Sequence, residues 1–125
     1  MKPSAEVNVQ PHLAVCDLPA ALARMGANVE LVREMLDLFR EDAPIYQLRL
    51  HDALAASNAP GIEHASHSLK GMLCMFGAGA AMQIADRLER IANAGELQEA
   101  PALELELNHE ISRFLETVTT ELARL

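Results

Sequence analysis

Ser66-His67-Ser68-Leu69-Lys70-Gly71 lies near the middle of a run from about Pro60 to Ala78, and its spacing sets the period for the whole chain. At about 100° per residue, Ile62, Ala65, Leu69, Met72, Leu73 and Phe76 gather on one side of a helix. His67 falls almost opposite their centre, and Glu63, His64, Lys70, Gly71 and Cys74 share its outer face. The pattern predicts a helix ending near Gly77, with a titratable nucleophile turned to water and a cation one turn away. Glycine inside a helix costs about 1 kcal/mol relative to alanine. Gly71, four residues after His67 on the same face, therefore points to clearance for something that must come close.

The helical period continues on both sides of this run. Residues 1 to about 15 are polar, with Pro3 and Pro11 and no period, and read as a flexible arm ahead of one domain over 16–125. Asp17 can cap a short helix from Leu18 to about Met25, with Pro19 tolerated in its first turn and Gly26 ending it in the left-handed conformation. Asn28 can cap a long second helix. Its buried stripe is Val32, Met35, Leu36, Phe39, Ala43, Tyr46, Leu50 and Ala53. Leu31 and Leu38 form a narrower second stripe, where the first helix is expected to lie. Pro44 predicts a bend rather than a break near residues 40–44, because the apolar spacing stays in phase beyond it.

Ser57-Asn58-Ala59-Pro60 reads as a turn, with Pro60 at the first position of the third helix. A fourth helix is expected from about Gly79 to Ala94, with Ala81, Ile84, Ala85, Leu88 and Ile91 inward and Gly95 closing it. Pro101 opens a fifth that reaches nearly to Leu125. Leu103-Glu104-Leu105-Glu106-Leu107 alternates as a strand would. The longer pattern overrules it, since Leu103, Leu107, Ile111, Phe114, Leu115, Val118 and Leu122 keep helical spacing. Four amphipathic segments with short connections predict an all-α fold, an antiparallel four-helix bundle with a short additional N-terminal helix capping one end.

Composition narrows the function. Half of the 125 residues are hydrophobic, yet only 3% are aromatic, which suits helices built from Leu, Ala and Met. A formal net charge of −8 argues against a basic face for nucleic acid and against docking on an anionic membrane. Cys16 and Cys74 are too few for a disulfide framework and read as reduced thiols. No apolar run approaches the length of a membrane span, and Met-Lys-Pro-Ser-Ala-Glu lacks an apolar signal core, so a cytoplasmic location is expected. The initial Met and short polar arm favour a free-standing protein over a piece of a longer one.

An unperturbed histidine has a pKa of about 6.5, so an exposed one is mostly neutral at pH 7 and can offer a ring nitrogen as nucleophile. Attack on an activated phosphoryl group suits it, because the phosphoramidate formed is itself able to pass the group on. A phosphoryl group brings a charge of about −1.5 to −2, which Lys70 can offset. No Gly-rich phosphate loop, Walker lysine or carboxylate cluster for Mg²⁺ is present, so no ATP site and no enzyme activity of its own are expected. His64 and His67, one turn apart, could hold a metal with Glu63 or Cys74. No third ligand from a neighbouring helix is evident and Lys70 would oppose a cation, so no metal site is expected. His12, His51 and His109 read as ordinary surface histidines. Met72 reads as core, Cys74 as a solvent-side packing residue, and Met75 as either core edge or contact patch.

His67-Ser68-Leu69-Lys70-Gly71, followed by Phe76-Gly77-Ala78 and later Leu88-Glu89, resembles the histidine-containing phosphotransfer (HPt) domain of multistep two-component phosphorelays. The resemblance runs from about residue 12 to the end. Met72-Leu73-Cys74-Met75 departs from the small or polar residues usual after the glycine. The resemblance implies that His67 accepts a phosphoryl group from a receiver-domain aspartate and passes it to another. Lys70 would stabilise the phosphoryl charge, and Gly71 would let the receiver's loops close over the imidazole. His64, Gly71, Cys74 and Met75 would form the contact surface. It further implies no cofactor of its own, Mg²⁺ on the partner receiver, response-regulator receivers and a hybrid sensor histidine kinase as partners, and a monomer. Glu89 fits the family's Leu-Glu element, with its distance from His67 left open, as is the reacting ring nitrogen. The alternative is a non-transferring helical interaction module that binds a receiver or kinase domain.

Overall fold

The computed structural model describes residues 14–125. Five helices follow in chain order: α1 Leu18–Arg24, α2 Val29–Ala55, α3 Ala59–Cys74, α4 Gly79–Asn93 and α5 Ala100–Ala123. No strand occurs among the described residues. The expected arm, with His12, lies outside the described residues apart from its last two positions. Those two are tied to the bundle: the Ala14 carbonyl accepts from the Ala80 N–H at 3.0 Å, and Val15 packs on the core.

Short polar side chains start α1, α2 and α3. Asp17 accepts from Ala20 N–H, Asn28 from Leu31 N–H and Asn58 from Gly61 N–H, each satisfying a donor that the first turn leaves unpaired. The Asn58 cap starts α3 one residue earlier than Pro60 alone suggests. At the other end, α3 stops at Cys74 rather than near Gly77. There Gly77 N–H donates to Cys74 O and Ala78 N–H to Leu73 O, with Gly77 at φ +62, the hydrogen bonding of a Schellman motif. The apolar pattern outlived the helix because Phe76 and Ala78 stay buried inside the turn.

A Cβ at Gly77 would stand 2.6 Å from the Cβ of Asp17, whose own N–H donates to Phe76 O. Gly77→Ala is therefore expected to cost about 2 kcal/mol or more, combining left-handed strain with displacement of the segment leading into α1. Urea unfolding measures it, and a loss below about 0.5 kcal/mol would show that the Asp17 segment gives way freely.

The helices close a ring: α2 packs on α3, α3 on α4, α4 on α5, and α5 back on α2, while α1 lies against α2. α3 and α4 form the most extensive pair. Small buried residues on both, Ala65 and Ser66 on α3 with Gly79, Ala81 and Ala85 on α4, let the two backbones approach. The chain's three phenylalanines meet at the centre. Phe39 from α2 lies 6.0 Å from Phe76 and 5.2 Å from Phe114 of α5, and Phe76 lies 5.3 Å from Phe114, centroid to centroid.

α2 runs unbroken through Pro44. Val32, Leu36, Phe39, Ala43, Leu50 and Ala53 are buried as expected, with Met35 and Tyr46 partly so. Met72, Ile84, Ile91 and Leu115, expected inside, pack on the margin of the core. Leu38 departs further: it is exposed, not covered by α1. The seven residues of α1 span only about 10 Å. Leu31 shares a groove with Met25 at the end of α1, whereas Leu38 stands two turns along α2.

Candidate functional site

Antiparallel packing of α3 on α4 brings five charged or titratable side chains into one row. His67 projects from α3 with its side chain 67% exposed, and its Nδ1 lies 2.9 Å from Oε2 of Glu89 on α4. A carboxylate only accepts, so Nδ1 is the donor in this contact, and in the neutral ring the lone pair then lies on Nε2. The other Glu89 oxygen, Oε1, lies 2.7 Å from Nζ of Lys70. Lys70 Nζ also donates to Asp86 Oδ1 at 3.1 Å, and Asp86 Oδ2 lies 3.1 Å from Arg90 Nε. His67, Glu89, Lys70, Asp86 and Arg90 thus alternate in hydrogen-bonding role along the α3–α4 seam.

Glu89 is the hinge of the row. Its hydrogen bond from Lys70 holds the carboxyl below its ordinary range, with the bond to His67 adding to this and partial burial opposing it. The same contact, with the one to Asp86, raises the Lys70 ammonium above its ordinary value. Glu89 therefore contributes stability that is fully present above the ordinary carboxylate pKa of 4.5 and lost as pH falls through its lower folded value. Glu89→Gln is expected to be less stable than the parent at pH 7, with the gap narrowing as pH drops below 4.5. Paired urea titrations across pH check this; a gap that widens in acid would reverse the sign.

Lys70 differs from the solvated cation that the helix wheel suggests. It is 28% exposed and shared between two carboxylates. Gly71 is open: a Cβ added there would meet nothing within 4 Å. Gly71, Cys74 and Met75 line a largely apolar groove of about 360 Å³ together with Arg24, Met25, Leu31 and Met35. His64 is exposed but belongs to a different recess, with Arg49, Asp52 and Asn58. The structure thus gathers Gly71, Cys74 and Met75 in one groove, whose lining does not include His67, and sets His64 in another. No group of three His, Cys, Asp or Glu side chains gathers as for a metal among the described residues. Cys16 offers no rival nucleophile: burial, with Glu121 beside it, pushes its thiol up to about 11.

Arg24 was not visible as a site residue in the sequence. Its Nη1 donates to the carbonyls of Cys74 at 3.1 Å and Met75 at 3.0 Å. α3 has no basic residue in its own last turn, so the cation at its C-terminal carbonyls comes from α1. Asp86 was missed for a related reason. Its i, i+3 spacing with Glu89 gains meaning only once α3 is known to face α4.

A family model for the Hpt domain matches residues 34–122. The chain belongs to the Hpt domain family. The match runs from the second turn of α2 through most of α5 and contains the whole α3–α4 row. Among solved structures, histidine-containing phosphotransfer protein B (HptB) from Pseudomonas aeruginosa PAO1 is similar, at 29% sequence identity and a TM-score of 0.80, over 94% of this chain and 99% of that one. A comparison with curated protein sequences finds no match. As an Hpt domain the chain is a histidine phosphotransfer component of two-component phosphorelays, an intermediate rather than a kinase with its own ATP site. Its partners are receiver and kinase domains. No helix among the described residues is long and apolar enough to cross a membrane.

Proposed function

We propose that His67 accepts a phosphoryl group at Nε2 from the aspartyl phosphate of one receiver domain and delivers it to the aspartate of another. The observation that carries this reading is the 2.9 Å contact of Nδ1 with Glu89 on a side chain that is 67% exposed, which supports Nδ1 as the donor and Nε2 as the nucleophile. In the forward step the Nε2 lone pair attacks phosphorus, the bond from phosphorus to the aspartyl oxygen breaks, and the carboxylate leaves with the electron pair. The ring keeps its Nδ1 proton, and Glu89 offsets the positive charge that develops on it. Donation to the second receiver is the same displacement in reverse. Lys70 would exchange one of its two carboxylates for a phosphoryl oxygen.

The receiver would supply Mg²⁺, and this domain no cofactor. Gly71 gives the clearance, Cys74 and Met75 the adjoining contact surface, and His64 the opposite edge. A hybrid sensor histidine kinase would feed the relay, with this protein acting as a cytoplasmic monomer. The test is incubation with a panel of phosphorylated receivers. Acid-labile label on this protein supports the reading, and binding without transfer would make it a non-transferring interaction module instead.

Gly71→Ala separates docking from folding. An alanine there should stabilise the exposed helix by about 0.5–1 kcal/mol, since its Cβ meets nothing and the unfolded chain loses freedom. Transfer from the receiver should nevertheless slow, because the methyl occupies the approach to His67. Urea midpoints and transfer rates moving in opposite directions are the expected result; a stabilised variant with unchanged transfer would remove Gly71 from the contact.

A further inference from the structure

His51 stands in the same arrangement as His67 on the other side of the bundle. It projects from α2 with its side chain 67% exposed, and its Nδ1 lies 3.0 Å from Oε2 of Glu104 on α5. The equivalent figures for His67 are 67% and 2.9 Å to Glu89. Glu104 is the better buried carboxylate of the two, at 12% against 20% exposed. Its carboxylate also only accepts, so Nδ1 is the donor in this contact, and in the neutral ring the lone pair lies on Nε2. One turn back along the seam, Gln47 Nε2 donates to Asn108 Oδ1 at 2.9 Å, which fixes the register of α2 against α5 at this point. His64 and His109 are exposed too, but among the described residues no hydrogen bond or ion pair holds either ring.

We infer that His51 is a second phosphoryl-acceptor site, selective for small acyl phosphates. The Nε2 lone pair attacks phosphorus, the bond to the acyl oxygen breaks, and the carboxylate departs with the electron pair. The Nδ1 proton remains between the ring and Glu104, which balances the charge of the phosphorylated imidazolium. What His51 lacks sets its substrate class. Position i+3 is Leu54, not a cation, and position i+4 is Ala55, not glycine. Asp52 beside it adds negative charge. Without the cation and clearance that Lys70 and Gly71 give His67, the donor that the site fits is a freely diffusing small molecule. This inference does not rest on the role assigned to His67, since it invokes no receiver.

The probe is acetyl phosphate, applied to the full-length His67→Gln protein, with phosphohistidine mapped by mass spectrometry under neutral conditions. His51 is expected to carry at least about tenfold more label than His64 or His109, and Glu104→Ala to lower His51 labelling by a similar factor. Glu104→Gln, whose carbonyl can still accept from Nδ1, should restore part of it, which a merely structural role would not produce. Equal labelling of the three histidines, or none at His51, overturns the inference. Either result leaves transfer from a receiver to His67 untouched.

Discussion

His67→Gln is expected to reduce label accepted from a phosphorylated receiver to background, a loss of at least about a thousandfold, with the fold unchanged. Glutamine reaches a similar distance but its amide nitrogen has no available lone pair. No other described side chain pairs an exposed ring nitrogen with a nearby cation and an open backbone. The folded state loses one hydrogen bond to Glu89 at an exposed position, so stability should shift by less than about 1 kcal/mol. Transfer and urea unfolding, measured on the same preparation, separate a chemical defect from an unfolded one. Receiver-derived label that persists in the variant would move the acceptor to another residue. Label from acetyl phosphate at His51 would not, because that donor needs no docking.

The second large effect is on stability. Phe114→Ala is expected to cost about 3–5 kcal/mol. Phe114 is fully buried and touches both other phenylalanines, at 5.2 Å from Phe39 and 5.3 Å from Phe76. Truncation removes the transfer free energy of the ring, leaves a cavity, and breaks two aromatic contacts that add about 0.5–1.5 kcal/mol each to area burial. The three rings come from α2, α5 and the turn after α3, so the cavity opens where those parts of the bundle converge. With no Trp and a single Tyr, the chain has few large side chains able to refill it. Domains of this size are stable by about 5–15 kcal/mol, so the variant should lie near its unfolding threshold. Urea denaturation gives the value, and a cost under about 1.5 kcal/mol would mean that the helices close over the gap.

Much of this architecture was legible before any coordinates, for local reasons. Asp17 and Asn28 cap helices because a short acceptor side chain reaches its own first turn, an interaction contained within three residues. Most of the main stripes on α2 and α5 read correctly because helical period and burial coincide over many turns, with Met35, Tyr46 and Leu115 at the margin. The alternating Leu103–Leu107 segment resolved as helix for the same reason. Helix ends read less well. Phe76 continues the apolar period past Cys74, and only the left-handed Gly77 turn shows that burial there no longer means helix. Leu38 misled in another way, since an apolar residue at helical spacing says nothing about whether a seven-residue helix can reach it.

The candidate site divides along the same line. Period alone turns His67 outward and leaves Gly71 bare, because both depend only on position around a single helix. The partners of His67 and Lys70 depend on how two helices are set side by side. Glu89 and Asp86 lie 22 and 16 residues further along the chain than the groups they hold. Nothing in a one-dimensional pattern fixes the sliding register of α4 on α3 that brings them within 3.1 Å. Which helices form, and which way each faces, followed from the order of residues, since those are short-range questions. Which ring nitrogen meets Glu89, and that Lys70 is shared between two carboxylates, were decided by packing, since small side chains on α3 and α4 let the two backbones come close enough for those contacts.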